Sequence, residues 1–389
     1  MEKTPISMRK HIALVGKTNS GKSTLFNKLL GSEMSIVSDV KGTTTDPVIK
    51  AMELIPYGPV ALIDTAGLGD DTVLGKQRES KTENVLSRAD LIVHIIDVLD
   101  NDAIELKSPK PIIKVYTKCE TAEKDKIHEL KQANPDSIFI SDYGRNGIDT
   151  LKEKLVRILS SLERDDETFI GDILQGGSVV VMVVPIDGAA PKGRLILPQV
   201  QLLRDCLDHD IKAYVTKDTT LESAIYDLSH IDLVVTDSQI FKYVSDIVPQ
   251  EIPLTSFSML MARQKGNFHK YIEGAEHFSK LRDRSKILVM EGCTHNSTHE
   301  DIGRVKIPAL IEKKLGAKCE YDFVSGYDFP KDLEEYDLVL SCGMCMINRQ
   351  EVLSRIDILD NKKIPVVNYG VALAYLNGIL DRAKEIFYK

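Results

Sequence analysis

The chain has 389 residues, of which 43% are hydrophobic and 28% charged, and its formal net charge at pH 7 is −8. This length exceeds one ordinary core and predicts two or three domains, of which we expect three. With no apolar run of about 18 residues and no start resembling a signal peptide, we expect a cytoplasmic protein without a membrane partner. The acidic balance, and the lack of a basic stripe interleaved with aromatics, argue against a nucleic-acid partner.

A phosphate-binding loop is predicted at residues 16–23, which read Gly-Lys-Thr-Asn-Ser-Gly-Lys-Ser between an apolar run at 11–15 and a helix-forming run at 24–30. Such a loop turns backbone N–H groups toward an anion, with Lys22 as a mobile positive charge and the Ser23 hydroxyl as a Mg²⁺ ligand. The predicted nucleotide contacts of this segment are Gly16, Asn19, Ser20, Gly21, Lys22, Ser23 and Thr24.

Two further segments suit a nucleotide site. Residues 35–47 are polar, with few helix or strand signals, and are typical of a switch loop that folds over a nucleotide. A buried-strand run at 60–63 leads into Asp64, which can hold Mg²⁺ through water, and Gly67, which lets a backbone N–H approach the terminal phosphate. Asp-x-x-Gly occurs often by chance, so the prediction depends on the order of all three segments.

In this order and spacing, the segments resemble the translation-factor-related small GTPases, and most closely the potassium-activated group that includes the tRNA-modification GTPases. The resemblance implies that Lys22 contacts the β and γ phosphates, that Ser23 and Thr44 ligate Mg²⁺ and that Asp64 supports the metal. Lys22, Thr44 and Asp64 are therefore the candidate catalytic residues. The resemblance also implies that Asn19 helps to bind K⁺ beside the phosphates, where positive charge stabilises the transition state. Alternatively, Asn19 is a loop residue that tolerates an unusual backbone angle.

The segment expected to recognise the base departs from the pattern of that group. Strand-like runs at 91–96 and 112–116 precede Thr117-Lys118-Cys119-Glu120, where related GTPases carry Asn-Lys-x-Asp. We expect Lys118 to cover the base and Glu120 to pair with guanine. This favours GTP over ATP. Because the segment departs from the usual pattern, we expect the affinity for GTP to be weakened. Ser141 opens a segment that resembles the last motif of the group. Leu68 stands where some relatives have a catalytic glutamine, so we expect slow turnover.

A charged, aperiodic run at 162–168 ends this GTPase domain, which we place at residues 1–165. Strand-like runs at 179–184, 211–215 and 233–235 alternate with helical patterns and predict a second α/β domain at 170–265. This middle domain shows no catalytic constellation. Because an open parallel sheet has unpaired edges, we expect it to pair with a second copy and form a homodimer.

Residues 266–389 alternate strand-like and helical runs, which predicts a doubly wound α/β domain with ligands outside the carboxyl ends of its strands. Cys293 and His295 follow the strand-like run at 287–290, and Cys342 and Cys345 follow the run at 338–340. Both segments are therefore expected at one sheet edge. Three thiolates suit zinc with a histidine, or an iron–sulfur cluster with a non-cysteine ligand. A redox pair of Cys342 and Cys345, with Cys293 uninvolved, is a third interpretation.

A GTPase followed by a β/α domain and a domain with Cys-x-His, a long gap and Cys-x-x-Cys resembles, along the whole chain, the HydF family of FeFe-hydrogenase maturation GTPases and iron–sulfur scaffold proteins. The resemblance implies that Cys293, Cys342 and Cys345 bind a 4Fe-4S cluster, with His295 as a candidate fourth ligand. It also implies two kinds of partner, the FeFe-hydrogenase apoprotein, which receives a di-iron precursor, and the radical-SAM maturases. Many members carry a histidine where this chain has Ser341.

Three thiolates leave one iron without a sulfur from the protein, and we expect His295, a carboxylate such as Glu291 or Glu300, or an exchangeable ligand at that iron. The alternative function is a tRNA-modification or ribosome-assembly GTPase with a zinc-stabilised C-terminal domain. The acidic composition and the lack of stacking aromatics near the cysteines count against it.

Overall fold

The structure is a computed structural model that describes residues 4–31, 48–65, 85–101, 105–141, 145–162, 168–186, 195–292, 302–330 and 332–388. The chain divides into two compact units, Met1–Glu163 and Arg164–Lys389. Both are α/β structures built on largely parallel sheets, as the sequence predicts.

The strands, in chain order, are β1 Lys10–Val15, β2 Val48–Leu54, β3 Gly58–Asp64, β4 Leu91–Asp97, β5 Ile112–Thr117, β6 Ile138–Phe139, β7 Val179–Val183, β8 Lys212–Thr216, β9 Leu233–Thr236, β10 Leu254–Ser256, β11 Lys286–Glu291, β12 Glu320–Ser325, β13 Leu338–Ser341 and β14 Val366–Asn368. The main α-helices are Lys22–Gly31, Lys124–Ala133, Arg145–Ser161, Leu197–Asp208, Leu221–Asp227, Phe241–Ile247, Phe257–Lys265, Phe268–Ala275, Ile307–Leu315, Arg349–Asn361, Tyr369–Leu376 and Leu380–Lys384. None of the helices described is both long and apolar enough to cross a membrane.

The first unit is built on one sheet with the strand order β2-β3-β1-β4-β5-β6. Strand β2 runs antiparallel to β3, and the other neighbouring pairs are parallel. The apolar runs of β1 and β4 are buried on both faces, as expected for central strands covered by helices. Helix Arg145–Ser161 packs there through Ile148, Leu151 and Leu155, whose spacing of three or four residues places them on one face.

The second unit contains two parallel sheets, with strand orders β10-β9-β7-β8 and β12-β11-β13-β14. One buried apolar cluster includes Val181 and Val234 of the first sheet and Val289 and Val339 of the second. The two sheets therefore share a core within Arg164–Lys389. The predicted boundary at residue 265 falls inside this unit, between the helices Phe257–Lys265 and Phe268–Ala275.

Candidate functional site

The phosphate-binding loop lies between β1 and helix Lys22–Gly31. Gly16 is buried there, and a Cβ atom at this position would lie 2.2 Å from the Ile95 carbonyl oxygen, so that only glycine fits. The Lys22 Nζ donates to the carbonyl oxygens of Gly16 at 3.0 Å and Lys17 at 2.7 Å. Burial lowers the pKa of Lys22, and the nearby Asp64 carboxylate acts against this. A partly desolvated ammonium is thus held against a glycine cradle, which suits a phosphate partner.

The predicted magnesium side of this site comes together at the end of β3. Asp64 accepts a hydrogen bond of 2.9 Å from the Ser23 hydroxyl. Burial raises the pKa of Asp64, whereas the Ser23 hydrogen bond and the Lys22 charge lower it. The Oδ1 of Asp64 and the Oγ of Ser20 are buried without a hydrogen-bond partner among the residues that the structure describes. Hydroxyl and carboxylate oxygens beside an ammonium fit Mg²⁺ and a phosphate. The other predicted residues here, Thr44 and Gly67, lie outside the described residues.

The base side of the loop is tied to the end of β5. The Thr117 hydroxyl, which is fully buried, donates to the Ser20 carbonyl oxygen at 2.8 Å. The Lys118 Nζ donates to Asp97 Oδ2 at 2.7 Å and to the Asn19 carbonyl oxygen at 2.8 Å. Burial raises the pKa of Asp97, but the hydrogen bonds from Lys118 and from the Leu99 N–H outweigh it, so the net shift is downward. Asp97 is not among the predicted site residues, although it ends an apolar strand as Asp64 does.

Two predicted base-site residues lie at neighbouring strand ends. Glu120 is exposed in the turn Cys119–Thr121, directly after β5, and Ser141 is exposed shortly after β6. The Cys119 N–H donates to the Ile140 carbonyl oxygen at 3.2 Å, which joins the two segments. Asn19 has φ of 64°, the left-handed conformation given above as the alternative explanation for this asparagine.

The strands that precede the two cysteine segments of the second unit end at one edge of the sheet. Strands β11 and β13 are parallel neighbours, with Met290 opposite Ser341. The Gly292 N–H donates to Cys342 Sγ at 3.0 Å, and the Cys342 N–H donates to the Met290 carbonyl oxygen at 3.0 Å. The prediction of a shared edge is confirmed for Gly292 and Cys342. Cys293 and His295 lie outside the described residues, and within those residues no three His, Cys, Asp or Glu side chains are grouped to hold a metal ion.

The Cys342 thiol has two backbone donors. Burial raises its pKa to about 11, and the N–H groups of Gly292 and Met344 act in the opposite direction. The Met344 N–H lies 3.3 Å from the sulfur, and Met344 itself has φ of 49°. N–H groups aimed at a sulfur stabilise a thiolate, which is the form that binds iron or zinc. The donor set therefore fits a metal-bound cysteine.

A buried lysine, Lys265, lies beneath the segment that carries Cys342 and Cys345, and the sequence does not predict a role for it. Lys265 is 5% exposed, and its Nζ donates to the carbonyl oxygens of Met344 at 3.1 Å, Cys345 at 3.1 Å and Ile347 at 2.8 Å. Burial lowers the pKa of Lys265 to about 8, and the nearby Cys345 and Cys342, in their thiolate form, act against this. In the sequence, Lys265 resembles an ordinary cation at a helix C-terminus.

Glu291, one of the carboxylates predicted near the cysteines, already has a cationic partner. Its Oε2 lies 2.9 Å from the Arg304 guanidinium, which also stacks over the Phe323 ring. A carboxylate held in an ion pair is a poorer candidate for a metal ligand. Glu300 lies outside the described residues.

Family models match the second unit in two consecutive segments. The hydrogen maturase F dimerization domain matches residues 169–266, and the hydrogen maturase F tetramerization domain matches residues 269–386. The chain belongs to the hydrogen maturase F family. Residues 11–134 match the family described as 50S ribosome-binding GTPase, so this hydrogen maturase F carries a GTPase domain at its N-terminal end. The two matched segments also support oligomer formation.

Curated relatives of this hydrogen maturase F resemble part of the chain. The tRNA modification GTPase MnmE of Bordetella parapertussis is 35% identical over 156 residues, which cover 38% of this chain and 33% of that protein. GTPase Der of Wolinella succinogenes is 33% identical over 189 residues, covering 44% and 40%. The chain thus spans about a third of the length of the first curated relatives it matches. A solved G domain of the T. maritima FeoB iron transporter is 25% identical with a TM-score of 0.31, covering 39% of this chain and 99% of that one.

Proposed function

We propose that this chain is a GTP-hydrolysing scaffold that binds a 4Fe-4S cluster and carries the di-iron precursor to the FeFe-hydrogenase apoprotein. Its family and its GTPase domain support this function. The observation that carries the cluster assignment is the hydrogen bond from the Gly292 N–H to Cys342 Sγ, because Gly292 directly precedes Cys293 in the chain. We further propose radical-SAM maturases as the source of the precursor, a homodimer as the basic assembly and the cytoplasm as its location.

For the N-terminal unit, we propose that Lys22 contacts the β and γ phosphates of GTP and that Ser23 and Thr44 ligate Mg²⁺, with Asp64 in support. Lys118 and Glu120 then recognise guanine. The contact between Ser23 and Asp64 and the desolvated Lys22 ammonium support these roles. Because negative charge moves during phosphoryl transfer, a fixed ammonium lowers the barrier. Hydrolysis then removes the contact between the γ-phosphate and the switch segment, and this change determines when a partner protein binds.

We propose that K⁺ binds beside Asn19 and accelerates this slow hydrolysis. The left-handed backbone of Asn19 accounts for an asparagine there without any cation, so the role of K⁺ needs its own test. Replacing K⁺ by Na⁺ at constant ionic strength should slow GTP hydrolysis. Equal rates in the two salts would remove K⁺ from the proposal.

For the second unit, we propose Cys293, Cys342 and Cys345 as thiolate ligands of the cluster. The two N–H donors on Cys342 Sγ support this, because such hydrogen bonds stabilise negative charge on a cluster sulfur. Since Glu291 is paired with Arg304, we assign the fourth position to His295, to Glu300 or to an exchangeable ligand. When bound, the cluster supplies an iron to which a ligand of the di-iron precursor can bridge.

The test is activation of FeFe-hydrogenase apoprotein by the full chain, purified and loaded without oxygen. Wild type should produce hydrogen-evolving enzyme, and Cys345→Ser should not. Lys22→Ala should lower GTP hydrolysis by roughly a hundredfold or more, because it removes a charge from the transition state. Lys28→Ala, in the same helix but exposed, is its matched control. Full activation by Cys345→Ser would refute the scaffold proposal. Bound zinc without iron would favour the alternative function, a tRNA-modification or ribosome-assembly GTPase with a zinc-stabilised C-terminal domain.

A further inference from the structure

The ammonium of Lys265 is enclosed by the backbone of the cysteine loop, which we define as residues 342–347. Its three donors meet three carbonyl oxygens of that loop, those of Met344, Cys345 and Ile347, at 2.8 to 3.1 Å. A lysine ammonium has three N–H donors, so these hydrogen bonds occupy all of them. Lys265 ends helix Phe257–Lys265, about 80 positions before the loop it holds.

Burying an ammonium costs free energy unless dipoles or a counter-charge offset the lost hydration. The three carbonyl dipoles supply part of this compensation. Among the described residues, the groups whose negative charge would act on Lys265 are Cys345 and Cys342 in their thiolate form. Because burial raises the pKa of Cys342 to about 11, the cysteines supply a counter-charge to the buried ammonium when a bound metal holds them as thiolates.

Other contacts fix the two ends of the same loop. The Asn368 amide donates to the Cys342 carbonyl oxygen at 3.3 Å, at the start of the loop. The Arg349 guanidinium, just after the loop, donates to the Gln264 carbonyl oxygen at 2.8 Å. Between these points, three carbonyl groups accept hydrogen bonds from Lys265.

We propose that Lys265 is a positioning residue for the cysteine loop, holding its backbone in place and placing a positive charge beneath the two thiolates. The electrostatic half of this proposal rests on the proposed function. Positive charge near a cluster favours its reduced, more negative state and so raises its reduction potential. The helix that ends at Lys265 therefore sets both the shape and the potential of the cysteine site.

The backbone half is tested without any cluster. Hydrogen exchange is measured by mass spectrometry on the full apo chain, comparing wild type, Lys265→Met and Lys270→Met. Lys270 is a half-buried lysine on the next helix, paired with Asp360, and serves as the control. In Lys265→Met, the amides of the cysteine loop should exchange about tenfold faster, because hydrogen bonds to a charged group are lost. Unchanged exchange in the loop overturns the positioning role, and unchanged exchange in β7 and β9 shows that the unit remains folded.

The electrostatic half is tested on reconstituted chains by redox titration followed by EPR. Lys265→Met should shift the midpoint potential to more negative values and release iron to a chelator about tenfold faster. Lys265→Arg keeps the charge and should stay close to wild type. A potential in Lys265→Met equal to wild type, or the same shift in Lys265→Arg, overturns the charge effect. If wild type binds no iron, the proposed function fails and the exchange experiment still decides the positioning role.

Discussion

At the scale of single residues, Thr117 stands where an asparagine is expected, and its hydrogen bonds show how the nucleotide site keeps its shape. Its hydroxyl bonds to the Ser20 carbonyl oxygen and lies within 3.2 Å of the Ile96 carbonyl oxygen. One buried side chain therefore ties the phosphate-binding loop to the ends of β4 and β5. The replacement of asparagine by threonine therefore concerns base recognition, for which Lys118 and Glu120 follow Thr117 in the chain.

Thr117→Val removes this hydroxyl while keeping the volume of the side chain. The Ser20 carbonyl oxygen then loses a buried partner, which costs about 1 to 3 kcal/mol. We expect GTP-analogue binding, measured by calorimetry, to weaken by about tenfold. Thr117→Ser, which keeps the hydroxyl, should bind nearly as wild type does. Equal affinity in the valine and serine variants would show that this hydrogen bond does not shape the site.

His94 gives the first unit a defined response to acid. It is 4% exposed in β4, and burial, with a smaller effect of Lys114, lowers its pKa to about 4. Between pH 6.5 and about 4, the unfolded chain binds a proton that the folded chain does not. The contribution of His94 to stability is therefore present above pH 6.5 and declines as the pH falls toward 4.

His94→Gln should make stability less sensitive to acid. The loss in free energy of unfolding between pH 7 and pH 5 should be smaller by about 2 kcal/mol than in wild type, measured by urea unfolding. His128→Gln, at an exposed position, should keep the wild-type dependence. An unchanged pH dependence in His94→Gln would mean that burial does not lower the pKa of His94.

At the scale of elements, helix Leu380–Lys384 is hydrogen-bonded to the segment that precedes β10. The Arg382 guanidinium donates to the carbonyl oxygens of Ser245 at 3.1 Å, Val248 at 3.0 Å and Ile252 at 3.2 Å. Burial lowers the pKa of Arg382, as expected for a cation that has exchanged water for carbonyl groups. One side chain thus joins the C-terminal helix to helix Phe241–Ile247 and to the loop between that helix and β10.

Arg382→Met should lower the free energy of unfolding of the second unit by about 2 kcal/mol, because several carbonyl groups lose a charged donor. Urea unfolding of the full chain measures this loss. Lys384→Met, on the same helix, removes only a surface ion pair with Asp381 and should change stability by less than about 0.5 kcal/mol. Equal effects of the two substitutions would contradict the fastening role of Arg382.

The elements also show what the sequence can and cannot predict. Central strands such as β4 and β7 are predicted because both of their faces are buried and their apolar runs are continuous. Strand β2 is not predicted, since it is an edge strand that mixes apolar residues with Lys50 and Glu53. Lys265 could not be predicted, because the carbonyl groups that it binds lie 79 to 82 positions further along the chain.

At the scale of the whole molecule, two compact units carry different chemistry. The glycine cradle, Lys22 and Asp64 of the first unit suit a nucleotide, and the edge of β11 and β13 in the second presents cysteines. The order of the motifs was enough to predict that Ser23 lies beside Asp64 and that Gly292 lies beside Cys342, because parallel strands place their carboxyl ends at one edge. The shared core of the two C-terminal sheets was not predictable, because packing between sheets leaves no local pattern in the sequence.

The most direct measurement is the iron and sulfide content, with the EPR spectrum, of the full chain reconstituted without oxygen. Wild type should hold iron and sulfide in equal amounts and, after chemical reduction, give the EPR signal of a reduced 4Fe-4S cluster. Cys345→Ser should lose that signal. Cys319→Ser, which changes a half-buried cysteine just before β12, should keep it. A wild-type chain without iron, or a Cys345→Ser chain with the wild-type spectrum, would contradict a cluster held at this sheet edge.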